Sequence, residues 1–401
     1  MIAALLSKED QNWQPLWNKA LVFLFITTFF LDGITRYKHI VEILMIVTSL
    51  YYIFRSPKIC LSLLKNNLFY SILALSAVLL YSIFISPDMK VSFKEFNNTV
   101  IKGILLYSLL LPLLLKNETK ETVSKLILIS FLSSLSVKCA VELVLYYQDY
   151  KQGIMPFTNY NHRHISDSMV FLFPALLNLW LFKKTSLKVA FAVCGCIYLF
   201  LMLGTLSRGA WLAIFITAVL WLIFNRFWKL LVASVIIFIA AGTLVMSQHG
   251  AKSDKLIYKL QQTDSSYRYT NGTQGSAMSL ILENPIKGYG YGDDIYHNLY
   301  NKRIIDYPTW TFKKSIGPHN LALYIWFGAG ILGLGALLYV YGSVINEIAG
   351  KAFISTATSP YNVHLLLFLS LVGFFLVRGN FEQIELAPLG IITGLLLALR
   401  K

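Results

Sequence analysis

The sequence predicts an all-α polytopic membrane protein of about twelve transmembrane helices, and three observations predict it. Of 401 residues, 56% are apolar and only 14% are charged, whereas soluble domains run near 45–50% apolar and about 25% charged. The mean hydropathy is +0.60, which excludes a water-soluble domain with an ordinary surface. Apolar runs bounded by charge clusters or turn residues recur along the whole chain. At ~20 residues per span, twelve spans take ~240 residues and leave ~160 for termini and loops. Disorder and collagen are excluded by the 14% aromatic content and by glycines without a period.

The first 19 residues are polar and lack a cleavable signal pattern, so the first span reads as an uncleaved anchor. Apolar runs follow at about 20–34, 38–54, 68–85, 98–115, 124–147, 166–182, 188–205, 209–224, 230–247, 320–345, 361–377 and 386–399. Each is read as helical because an open strand leaves its backbone unsatisfied in lipid. Ser186 to Phe224 is about twice one span and must be a hairpin, with its tip at Thr205-Leu206-Ser207-Arg208-Gly209. Residues 1–247 then carry spans one to nine, 248–318 form one long loop subdomain, and 319–401 carry spans ten to twelve.

Short loops on one side hold sixteen Lys and Arg, among them Arg55, Lys58, Lys65, Lys183 and Lys184, against eight on the other. The excess marks the cytoplasmic side and places both termini there. The long loop then faces the periplasm or cell exterior. The net charge of +15 would suggest nucleic acid in a soluble protein; here it is topological, facing anionic membrane lipid, and no nucleic-acid partner is expected. Cys60, Cys139, Cys194 and Cys196 show no disulfide framework.

Within the long loop, Lys252 to Gln262 and Thr273 to Glu283 have helical apolar spacing. The stretch Glu283-Asn284-Pro285 to Gly288-Tyr289-Gly290 is a turn-rich break, with aromatics such as Tyr291 and Trp310 near it. Four outward features could carry chemistry. Arg208, between two long apolar runs, is costly unless it meets water, a polar cavity or an anion. Tyr267-Arg268-Tyr269 precedes a helix start whose free N–H groups, with the arginine fork, suit phosphate. Gly317-Pro318-His319-Asn320 leads into span ten, where a positive helix end and nearby arginines would disfavour imidazolium and leave His319 a neutral base. The fourth is His162-Arg163-His164 in an Asn-rich loop, read as solvated or flanking a ligand.

Asp293, Asp294 and His297 read as a solvated loop. Lys138 and Glu142, spaced i,i+4 in span five, read as a pair that neutralises itself. No His-Glu-x-x-His, Gly-x-Ser-x-Gly or P-loop occurs, and no cofactor or metal is expected. A periplasmic synthetic reaction has no ATP and needs a substrate that arrives activated. A lipid-linked pyrophosphate sugar is one, and guanidinium groups can neutralise its leaving group.

Ser207-Arg208-Gly209-Ala210-Trp211, Tyr267-Arg268, Glu283-Asn284-Pro285 with Gly288-Tyr289-Gly290, and Gly317-Pro318-His319-Asn320, in this order, resemble the O-antigen ligase and polymerase superfamily. The resemblance extends over the whole chain and is nearest the enterobacterial lipopolysaccharide ligases. It implies a GT-C-like membrane glycosyltransferase, metal-independent and inverting. Such an enzyme moves O-antigen polysaccharide from undecaprenyl pyrophosphate to lipid A–core. By the same resemblance Arg208, Arg268 and His319 are catalytic, and Arg163, His164, Tyr267 and Asn320 are candidate substrate contacts. An O-antigen polymerase or protein O-oligosaccharyltransferase shares this logic; a polyprenyl-glycan flippase or a scaffold stands further away.

Overall fold

The computed structural model describes residues 13–247, 255–261, 266–354 and 359–400. Among these, all regular structure is helical. Lys8, Lys401 and the loop residues 248–254 and 262–265 lie outside the described residues.

Every apolar run becomes a helix: α1 Trp13–Phe29, α2 Thr35–Arg55, α3 Asn67–Phe84, α4 Met89–Leu114, α5 Lys120–Lys151, α6 Asn161–Leu181, α7 Thr185–Gly204, α8 Arg208–Phe224 and α9 Trp228–Ser247. The long loop contributes α10 Lys255–Gln261, α11 Thr273–Glu283 and α12 Asp293–Arg303. Then come α13 Leu321–Ile354, α14 Val363–Asn380 and α15 Ala387–Ala398. Eight of these are long and apolar enough to cross a membrane, while α8, α15 and the first half of α9 are shorter apolar helices. Helix α1 begins upstream of its apolar run and stops at Phe29, ahead of a turn in which Gly33 takes φ +76°. Of the loop helix expected over Lys252 to Gln262, α10 is the described part.

The chain divides into two compact units. The first comprises residues 1–45, 117–263 and 350–378. Its centre is α6, where every residue of 166–178 except Asp167 is buried, and which packs against α5, α7, α8 and α14. That burial follows from the sequence, since Met169 to Leu177 offers no polar face to expose. The hairpin expected at Thr205–Gly209 is present between α7 and α8. Leu206 turns the chain at φ +49°, and Trp211 Nε1 donates to Met202 O at 2.8 Å, clamping one arm to the other.

The second unit comprises residues 46–116, 264–349 and 379–401. Here α15 lies against α4 so closely that a Cβ on Gly390 would fall 2.7 Å from Ile104 O; Ser108 and Thr393 hydrogen-bond at 2.6 Å in the same seam. Small residues allow this approach, and the hydroxyl pair satisfies itself away from water. Between Asn97 and Leu105, α4 widens into a π-helical stretch, as α14 does over Leu371–Val377. The loop subdomain has its own core of Ala277, Leu280, Ile281, Ile295, Tyr296, Tyr300, Trp310 and Phe327. Its helix α12 packs on the first turns of α4.

Candidate active site

In the second unit, three separated segments converge. Arg268 sits in a single helical turn, Tyr267–Thr270, ahead of α11. Its Nη1 donates to Phe381 O at 3.0 Å, and its guanidinium lies 5.7 Å from the centre of the Phe381 ring. Gln274, in the first turn of α11, donates to Asn380 O at 2.6 Å and to His319 O at 3.3 Å. Asn320 donates to Asn380 Oδ1 at 3.2 Å and caps α13 by accepting from Leu323 N at 3.1 Å. His319 Nδ1 lies 2.6 Å from Glu382 Oε2. The site therefore gathers Arg268, His319 and Asn320, as the sequence order suggests, around 380–383.

His319 adopts φ +49°, a left-handed conformation that costs a non-glycine residue on the order of 1–3 kcal/mol and persists only where neighbours impose it. The imposing contacts are the Asn320 cap and the Gln274 bond to the His319 carbonyl. Its side chain is 23% exposed. The sequence suggested cationic surroundings for this histidine, but its immediate neighbour is a carboxylate. Tyr267 is exposed beside Arg268. The helix start expected after Arg268 is α11, whose first turn carries the buried Thr273 hydroxyl without a hydrogen-bond partner. An anion there would meet that hydroxyl and the helix N–H groups.

The Glu283–Gly290 turn secures this arrangement. Helix α13 breaks at Gly330 (φ +64°, ψ −164°), where a Cβ would overlap Ile286 O. Phe327 O and Gly328 O, released from the helix, accept Tyr289 N and Gly290 N at 2.9 Å, and Ile331 N donates to Pro285 O at 3.0 Å. A motif that reads as a mere turn is thus docked on a helix break, its backbone groups pairing with those the break releases. Glu283 accepts from Arg303 at 2.7 Å and Tyr307 at 2.5 Å. Partial burial pushes its carboxyl up, and the Tyr307 and Arg303 hydrogen bonds more than offset this, leaving it below the usual range. Of the aromatics near this turn, Trp310 and Tyr291 are each 2% exposed, Trp310 within the loop core.

The first unit holds Arg208 and the Arg163–His164 segment. Arg208 is half-buried at the first turn of α8. Ser207, its neighbour, accepts from Arg378 Nη1 at 2.8 Å; Arg378 also reaches Asp167 at 2.9 Å and Ser166 at 2.9 Å while 4% exposed. The His162–His164 segment is a tight 3-10 turn, not a solvated loop. His162 is buried, stacked 3.6 Å from Tyr146, with Nδ1 2.5 Å from Glu142 and Nε2 3.3 Å from Asp149. His164 stays exposed, 3.5 Å from the other Glu142 oxygen, and Arg163 is half-buried. The expected Lys138–Glu142 pair does not form: Lys138 reaches Asp32 at 2.6 Å, because Glu142 faces the histidines.

The sequence profile of the O-antigen ligase family matches residues 193–338, a stretch enclosing Arg208, Arg268 and His319. The chain is also 63% identical over 403 residues to the O-antigen ligase of Salmonella typhimurium, with both chains covered in full. The chain belongs to the O-antigen ligase family. It is accordingly a transferase of lipopolysaccharide biosynthesis and, by its apolar helices, an integral membrane protein. In this ligase, Glu382, Gln274 and Arg378 were missed by sequence reasoning. The only signal for Glu382 and Arg378 was that 378–385 is the polar stretch between two apolar runs. Asp293 and His297, expected in a solvated loop, lie on α12, with Asp293 accepting from Gln383 Nε2 and His297 2.7 Å from Ser315 Oγ.

Proposed function

We propose that the chain transfers O-antigen polysaccharide from undecaprenyl pyrophosphate to lipid A–core at the periplasmic face of the inner membrane, with both termini in the cytoplasm and the 248–318 loop in the periplasm. One observation carries this reading: His319, on a strained backbone, is held against Glu382 while Arg268 is bonded to the adjoining Phe381 carbonyl. A base and a guanidinium on one short segment suit the joining of a hydroxyl to a sugar whose leaving group is a diphosphate.

In the proposed reaction, the acceptor hydroxyl attacks the anomeric carbon of the donor. The bond from that carbon to the pyrophosphate oxygen breaks with inversion, and the electron pair leaves with undecaprenyl pyrophosphate. His319 Nε2 takes the hydroxyl proton, and Glu382 steadies the imidazole through Nδ1. Arg268 meets the growing charge, supported by Thr273 and the α11 N-terminus. Arg208 is assigned the same task from its place in the family motif, with Tyr267, Asn320, Arg163 and His164 as substrate contacts. No metal is assigned a step.

Ligation by the purified protein tests this. Arg268→Ala and Arg208→Ala are each expected to lower the transfer rate by ~10²–10³ with normal membrane insertion. Arg268→Lys should also be poor if the contact is a fork. Near-normal ligation by both alanine variants would remove the assignment. Offering a second lipid-linked glycan in place of lipid A–core separates ligase from polymerase.

A further inference from the structure

Next to Glu382, a cavity of ≈ 340 Å³ opens in the second unit, lined by Glu95, Asn98, Asp293, Tyr324, Gln383 and Glu385 among others. Its size is that of a small-molecule site, about 300–1,000 Å³. Three features define what it can hold. None of its described lining residues is basic, and three are carboxylates, so a phosphate is repelled. The Tyr324 hydroxyl, on a residue 4% exposed, lines the cavity beside Asp293 and the Tyr291 hydroxyl, its hydrogen-bonding neighbours; with one donor and two acceptor sites, such a hydroxyl keeps capacity for a ligand. Finally, the wall is connected to the proposed base: Gln383 follows Glu382, which touches His319, and Gln383 Nε2 donates to Asp293. Asn98 comes from the π-helical stretch of α4, a local widening common at functional sites.

Carboxylates, amides and a phenol with no cation match the vicinal hydroxyls of an uncharged sugar ring, which donate to the acids and accept from the amides and phenol. Among the described residues no group of three His, Cys, Asp or Glu is arranged to hold a metal ion, which disfavours a cation as the occupant. We propose that this cavity is the subsite for the acceptor sugar, an uncharged hydroxylated ring presented to His319, and that its acidity keeps phosphate-bearing parts of either substrate out. This rests on the transfer reading above, in which His319 deprotonates the acceptor.

The test uses the full chain in lipid nanodiscs and core oligosaccharide freed of lipid as probe, read by saturation-transfer difference NMR, alongside ligation kinetics with intact lipid A–core. Asp293→Asn and Tyr324→Phe are chosen; the second removes a single oxygen and keeps the ring packed. Wild type and His319→Gln are expected to bind the oligosaccharide, with affinity about tenfold or more weaker in the two cavity variants. In ligation, KM for lipid A–core should rise by a similar factor while kcat and the donor KM hold. Unchanged binding and KM in both variants would overturn the subsite, as would absence of binding to wild type, or binding that chelator abolishes and calcium restores. Wild type that binds the oligosaccharide yet forms no glycosidic bond defeats the transfer reading and leaves the subsite standing. Normal ligation with no acceptor effect does the reverse.

Discussion

Two histidines in this protein meet carboxylates at almost the same distance, and only one of them has the exposure that the proposed chemistry needs. His162 lies 2.5 Å from Glu142 and His319 lies 2.6 Å from Glu382. His162 is sealed: its side chain is 6% exposed, Tyr146 covers one face, and Asp149 occupies its second nitrogen. His319 is 23% exposed, engages its carboxylate through Nδ1 and stands on a left-handed backbone. A short His–carboxylate contact therefore says little about function. Access to the second ring nitrogen and the willingness of the fold to hold strain are what distinguish the two.

The sharpest way to break this comparison is to remove each imidazole in turn. His319→Gln is expected to lower ligation by ~10²–10⁴ per folded molecule, with the melting temperature changed little. His162→Gln should leave the rate within a few-fold of wild type and instead lower the melting temperature, since it weakens the pairing of the buried Glu142 carboxylate. Equal rate losses in both would erase the distinction. Imidazole that restores turnover to His319→Ala would sharpen it.

The carboxylates extend the comparison to smaller effects. In the proposed reaction Glu382 acts through His319, so Glu382→Gln is expected to slow ligation by about 10² and to move the pH profile of kcat; an unmoved profile would reduce Glu382 to a structural part. Glu142→Gln should affect stability alone. In the frame around His319, Gly330→Ala is expected to destabilise by about 1–3 kcal/mol, because the position needs φ +64° and its Cβ overlaps the Glu283–Gly290 turn. Chemical denaturation of the reconstituted protein reads this directly.

The smallest effect concerns pH. Glu283 has its folded pKa depressed by Tyr307 and Arg303 against partial burial, so its contribution is present above its unfolded value near 4.5 and is lost as pH falls through the folded value. Protease nicking of the 283–292 turn should rise in that window in wild type and be pH-independent in Glu283→Gln.

The helical state of each apolar run, the α7–α8 hairpin and the helix at Thr273–Glu283 were legible in the sequence, while eight of the described helices are long and apolar enough to cross a membrane. Hydropathy is a sum of per-residue transfer free energies along a continuous stretch, and lipid admits only one way of satisfying that backbone. The family motifs also picked out Arg268 and His319, whose segments do meet. Polar pairing was not legible. Lys138 and Glu142 stand one helical turn apart, yet they pair with Asp32 and His162 instead of each other.

From the amino-acid order alone came the membrane class, the helices, the one long loop and the family, because each depends on local composition or on motifs in fixed succession. Only the tertiary structure decided that Glu382 meets His319, that Gly330 opens α13 to receive the Pro285 turn, and that Asp293 lines a cavity with Gln383 bonded to it. These are contacts between residues dozens of positions apart. The choice of partner in them is made by packing geometry and by the cost of leaving a buried polar atom unsatisfied, and neither is written in any one stretch of chain.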